Sequence, residues 1–445
     1  MKKSKKIQLK SLLSICMLAS LTACGGSSDE ESSSPGDNQE ADSNNSEKIE
    51  LRFSWWGDTG RNEIYNEIAD RFEEENPNIT IARETSSFND YWNRLTTQVA
   101  GNNGPDVVSM HGSYVSDYAR RGALLSLEEY IESGTIDLEY FTDAAVDSGK
   151  IDDAIYMIAK GITMSGVMYN TAIFDEYGID YPEMGWTWEE FMNTSIKLTE
   201  EMDAEDRWGV AEVSGQGFRP AFQKFVRQKG GELFTEEGDL GFSEDDVIAW
   251  WEMWDELRQE GAIPDGATIT EDESAALEES LFVSEKVALS FQPANQLDLY
   301  QQEFSDGEIN MVTTPTFSDG EEGEFVEGAH LAITEASEHP KEAAQFINFF
   351  VNSEKSQEIF KVEQGSSGST EIQEFTKPLL NEAEQKTVDF NNETLEVAET
   401  APYPPEGVSE IEQIFWDYAT DISFGSIEIE EAAENFMNQA ESVLN

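Results

Sequence analysis

The stretch Leu51–Ile81, LRFSWWGDTGRNEIYNEIADRFEEENPNITI, limits the fold more than any other part of the chain. Ile49, Leu51 and Phe53 alternate with Glu50, Arg52 and Ser54, the period of a strand. The strand runs into Trp55-Trp56-Gly57-Asp58, two large aromatics followed by a turn. Ile64, Ile68 and Phe72 then recur at helical spacing until Asn76-Pro77 stops the helix, and Ile79 and Ile81 begin a second strand. This is the start of a βαβ fold.

The residues before it read as a delivery system. MKKSKKIQLKSLLSICMLAS has the basic start and short apolar run of an export signal, too short to span a membrane. Leu21-Thr22-Ala23-Cys24 looks like a bacterial lipobox, which implies cleavage before Cys24 and a diacylglycerol on its sulfur. The two acyl chains of that group would give a stable anchor where one would not. Cys16 lies within the signal, so the mature chain keeps no thiol for a disulfide, a redox pair or a thiolate metal site. Residues 25–48 carry no large apolar side chain and are expected to form a disordered tether.

A chain of 445 residues is long enough for two lobes with separate cores. Its net charge of −63 argues against nucleic acid or an anionic membrane surface as a partner held by charge. HExxH, GxSxG, P-loop and Cys-His zinc patterns are all missing. A secreted glycosidase with paired carboxylates is the enzyme alternative, and a surface adhesin the structural one. The reading adopted is a protein without catalytic residues, metal or cofactor.

Further along, Tyr91 to Val99 reads as an amphipathic helix, Val107 to Met110 as a short buried strand, and Ser116 to Arg121 as a helix. If the strands at Leu51 and Val107 are parallel in one sheet, the loops after them open onto one crevice. Trp55, Trp56, Asp58, His111 and Tyr114 then become neighbours. The Gly-punctuated run around Ala159 to Gly166 marks the expected crossing into a second lobe. Thr187-Trp188-Glu189-Glu190 has the spacing of a capping box. Trp250, Trp254 and Leu257 form a stripe at helical spacing that reads as core. Strands are expected at Trp208–Val210, Lys286–Phe291, Ile309–Thr313 and Ala329–Thr334; helices follow at Pro340, from Val408 to Ile422 and from Glu430 to Leu444.

The chain resembles the extracellular solute-binding proteins of carbohydrate ABC importers, the group that includes maltose-binding protein. The matching elements, in order, include the lipobox and tether, SWWG, RFEEENPNITI, YWNRLTTQVAGNNGPDVV, YARRGALLSLEEYI, YNTAIFDEYGI…WTWEEF and GAHLAITEASEHPKEAAQFINFF. The resemblance implies an α/β, two-lobed type II periplasmic-binding-protein-like fold with a hinge and an inter-lobe ligand cleft. Its expected divisions are 1–23 signal, 24–48 tether, 49–160 and 313–367 first lobe, and 161–312 and 368–445 second lobe. It also implies a carbohydrate ligand, ABC permease subunits as partners, membrane contact only through the lipid, a monomer, and a place on the outer face of a bacterial cell membrane. Ser113 and Tyr114 stand where some maltose binders carry an acidic and basic pair, which speaks against maltodextrin.

A sugar shows hydroxyls at its rim and C–H groups on its faces, so its site needs flat aromatics and bidentate polar side chains. Trp55 or Trp56 is the first platform. Adjacent strand residues point opposite ways, so one touches ligand and the other packs, with Trp56 preferred. Asp58, Arg61, Asn89 and His111 are rim candidates from the first lobe; Arg219, Gln292 and Asn295 are those from the second. Gly328 and Gly365 are read as places where backbone approaches ligand, and the resemblance adds Trp416 as a stacking residue. His330 and His339 are read as structural or surface residues.

Overall fold

The computed structural model describes residues 48–444 apart from 113, 153, 236, 305, 306, 319, 321 and 400. The signal, Cys24 and the tether lie outside the described residues. Two main sheets are built from β1 (Ile49–Trp56), β2 (Ile79–Ser86), β3 (Val107–His111), β4 (Met157–Thr163), β5 (Ser165–Asn170), β6 (Trp208–Val210), β7 (Val287–Pro293), β8 (Ile309–Thr313) and β9 (Glu327–Ile333). The first has the order β2-β1-β3-β9-β4 and the second β8-β5-β7-β6. We call each sheet with the helices that cover it a lobe.

In the first lobe β1 pairs in parallel with both β2 and β3, so the expected shared edge is present. β9 runs antiparallel between β3 and β4. The sheet is buried on both faces. Leu51, Phe53, Trp55 and Val107 point into one core, closed by α1 (Thr59–Glu75) and by a helix at Pro340–Asn352. Trp56, Val108 and Met110 point into another, closed by α2 (Phe88–Ala100) through Tyr91, Trp92 and Leu95. Asp58 starts α1 as its N-cap, its carboxylate accepting from the Arg61 amide at 2.9 Å. The buried stripe of α1 is Tyr65, Ile68, Ala69 and Phe72, while Ile64 is only partly covered.

The second lobe packs α3 (Trp188–Met202), α4 (Gln223–Arg227), α5 (Glu244–Gln259), α6 (Gly266–Glu273), α7 (Val408–Ser423) and α8 (Ile429–Leu444) around its sheet. Thr187 and Glu190 form the capping box of α3. Trp250, Trp254 and Leu257 of α5 are fully covered, so the tryptophan stripe is core; Trp251, buried beside it, meets Phe415 and Phe436 of the last two helices.

The chain changes sheet at Met164, the single residue between β4 and β5. Its amide donates to Asn391 Oδ1 at 3.0 Å, and its carbonyl accepts from the Ala294 amide at 2.9 Å. The expected boundary after residue 160 therefore falls inside β4. Gly161 reads as punctuation in the sequence but lies within the strand, where a Cβ would come 2.4 Å from the Gln364 carbonyl oxygen. Just past the expected boundary at residue 367, the Thr370 amide donates to the Tyr140 carbonyl at 2.9 Å. Among the described residues, no helix is long and apolar enough to cross a membrane, and no three metal-ligating side chains gather.

Candidate functional site

The carboxyl ends of β1 and β3 open onto a cavity of about 740 Å³, within the usual size of a small-ligand site. β9 supplies its floor through Gly328, Ala329 and His330, and the far side comes from the end of β7, a turn at Phe218–Phe222 and α7. Both lobes thus contribute to one space.

The two adjacent tryptophans separate as the period of a strand requires. Trp55 is 0 % exposed in the α1 core, its ring tilted against Phe53 and Tyr65, with its indole N–H donating to Asn62 Oδ1 at 2.9 Å. It is not a cavity residue. Trp56 is 8 % exposed and lines the cavity, held in place by Phe88, Tyr91 and Trp92 with ring centroids 5.4 to 5.7 Å away. Behind it lies Lys160, whose Nζ is 5.3 Å from the Trp56 ring centroid and donates to Ser109 Oγ at 2.7 Å. Burial holds the Lys160 ammonium well below its ordinary pKa.

Of the other first-lobe candidates, Arg61 and His111 line the cavity. Arg61 Nε is 2.6 Å from Glu363 Oε1, which ties α1 to a distant loop. Burial, with Arg219 adding repulsion, pushes His111 down to about 4, so its imidazole is neutral at pH 7. Asp58 does not line the cavity, because its carboxylate is spent capping α1. Tyr114 lies flat on Trp92, 3.9 Å between centroids at 12°, which keeps it out of the lining. Asn89 falls in the first turn of α2, and its side chain is outside the described part of the structure. Gly365 also stays out of the lining. At φ +109° a Cβ there would meet the Ile162 carbonyl oxygen at 2.1 Å, so the glycine serves the close pass of two backbones.

From the second lobe Arg219, Gln292, Asn295 and Trp416 all line the cavity, as does Gly328 from the first. Arg219 Nε sits 4.0 Å from Glu412 Oε1. Asn295 is fixed by its backbone N–H, which donates to Thr163 Oγ1 of β4 at 3.2 Å. The indole N–H of Trp416 donates to Glu273 Oε2 at 3.2 Å.

Several lining residues escaped the sequence reading. Phe88, 38 % exposed, follows the end of β2, so the rule that found Trp56 and His111 applies to it as well. His330, expected as a structural or surface residue, is buried with its Nε2 2.9 Å from Ser148 Oγ, and its ring forms part of the floor. Burial and nearby Lys160 push it down to about 3. Pro402 and Tyr403 belong to a proline-rich connection with no periodicity to place it. The Tyr403 hydroxyl donates to the Ser148 carbonyl, and its ring packs against the Trp56 core.

Residues 67–384 match the family model described as bacterial extracellular solute-binding protein. The chain is 26% identical over 340 residues to the diacetylchitobiose binding protein DasA of Streptomyces coelicolor, an alignment covering 74% of each chain. It is 24% identical over 306 residues to a multiple sugar-binding protein of Streptococcus mutans, covering 66% of this chain and 69% of that one. Among solved structures, a family 1 extracellular solute-binding protein from Alicyclobacillus acidocaldarius superposes with a TM-score of 0.73 at 27% identity, over 90% of this chain and 99% of that one. A shared fold of two sheets and a match over most of the sequence lead to one conclusion: the chain belongs to the family of bacterial extracellular solute-binding proteins, which are transport receptors and not enzymes.

Proposed function

We propose that this protein captures an oligosaccharide between its two lobes and hands it to the permease subunits of an ABC importer. The observation that carries the reading is the pair Trp56 and Trp416, one from each lobe, facing a single cavity whose polar lining includes Arg61, Gln292 and Asn295. Flat rings for sugar faces and forked polar groups for sugar rims is the arrangement a carbohydrate needs. The sugar-binding relatives support it. Closure of the lobes on the ligand is the transport signal. The protein acts as a monomer, held at the outer face of the membrane by lipid on Cys24.

The charges favour a neutral glycan. Arg61 and Arg219 each sit beside a carboxylate, and His111 and His330 are uncharged at pH 7. A thermal-shift and tryptophan-fluorescence screen over plant and microbial oligosaccharides, with diacetylchitobiose included, tests the reading. A raised Tm without release of reducing ends is expected. Sugar turnover would point to a glycosidase, and silence across the panel to an adhesin or a non-sugar ligand. A larger shift with oligogalacturonate than with any neutral sugar overturns the charge argument. The anchor is tested separately: Cys24→Ser should release the protein from cells into the medium.

A further inference from the structure

Trp416 is held at its pyrrole edge. Its Cδ1 lies where a Cβ on Gly215 would come within 2.8 Å, so the ring rests against bare backbone. The neighbouring ring atom, Nε1, donates to Glu273 at the end of α6. The pyrrole edge is therefore turned into the lobe, over a narrow polar recess of about 10 Å³ lined by Glu212, Ser214, Thr270 and Glu273. That volume is the space of about one water molecule. α7 brings Trp416, Ala419, Thr420 and Ser423 to the recess, none of them titratable. The charged groups that bear on Glu273 are Asp272 on its own helix and Glu212, which is paired with Arg258 of α5 at 2.6 Å.

We propose that Glu273 is a positioning residue: by accepting the indole N–H of Trp416 it fixes the angle at which the ring meets the cavity, and its proton state sets how firmly the second lobe grips a sugar. The inference rests on the reading of Trp416 as a platform. An ionised carboxylate is the stronger acceptor, so deprotonation tightens the hold on the ring. Desolvation, with Glu212 and Asp272 adding repulsion against the indole hydrogen bond, pushes Glu273 up to about 7, which places the change within the range a cell surface meets.

The test follows the Trp416 indole N–H by NMR in the full mature chain, its signal assigned by Trp416→Phe. The signal should move with a midpoint near 7 in the parent and stay still in Glu273→Gln across a pH unit either side. Calorimetry uses diacetylchitobiose, or the panel sugar that raises Tm most. Affinity should fall about tenfold in Glu273→Leu and by less than about threefold in Glu273→Gln, whose amide oxygen still accepts. The Gln variant should also lose the pH dependence of affinity, a readout that a merely structural role would not move. An indole signal that does not titrate in the parent overturns the proposal even if Glu273→Leu fails to fold. Unchanged affinity in Trp416→Ala overturns the platform reading and this proposal with it. A weakened Trp416→Ala beside an unaltered, folded Glu273→Leu overturns the proposal alone.

Discussion

Trp56 and Trp416 face the same cavity from different lobes and are secured by different physics. Trp56 sits among Phe88, Tyr91, Trp92 and His111, rings that meet it mostly edge to face. Packing of that kind is insensitive to pH. Trp416 rests on a glycine and one hydrogen bond to a carboxylate. The buried lysines repeat the contrast. Lys160, behind Trp56, bonds to the hydroxyl of Ser109, whereas Lys224 of α4 lies 2.6 Å from Glu324, both side chains 0 % exposed. The buried lysine of the first lobe thus leans on a neutral hydroxyl, and that of the second on a carboxylate.

The largest test of the contrast is Lys224→Met. It strands the Glu324 carboxylate in the interior and should cost about 3–5 kcal/mol, read by denaturant unfolding. Next comes Trp56→Ala, expected to weaken sugar binding by more than about tenfold while unfolding stays cooperative. Unchanged affinity would remove its role as a platform. Lys160→Met removes the hydrogen bond to Ser109 but strands no carboxylate, since Glu363 is paired with Arg61, so it should cost only about 1 kcal/mol. A loss as large as that of Lys224→Met would break the comparison. The last test is on pH. A carboxyl raised from 4.5 to about 7 loses stability relative to the unfolded chain as pH climbs between those values, then levels off. Glu273→Gln should therefore match the parent at pH 4 and exceed it in Tm at pH 8.

Much of the first lobe was legible because its signals are local. The alternation through Phe53, the stop at Asn76-Pro77 and the short run Val107–Met110 place β1, α1 and β3, and parallel pairing then brings Trp56 beside His111. What could not be read depends on groups far apart in the chain. Whether Asp58 caps a helix or meets a sugar depends on where the chain turns, and Tyr114 is claimed by Trp92 across two elements. Glu273 gave no signal at all in a chain with 91 acidic residues; only its nearness to Trp416, far along the sequence, sets it apart. Gly161 misled for the same reason, since the backbone that demands it belongs to Gln364.

The one-residue passage at Met164 has a mechanical consequence. A single residue offers two soft torsions, and both its amide and its carbonyl are already engaged by Asn391 and Ala294. Asn391 also donates to the Ile162 carbonyl at 3.0 Å, so it braces the strand on the near side of the passage as well. Such a joint works as a short, stiff axle: it lets the two bodies turn about it but gives them no slack to drift apart. Any turning about it has to be shared with the chain's other passages between the lobes, the one between Thr313 and Glu327 and the one that follows Thr370.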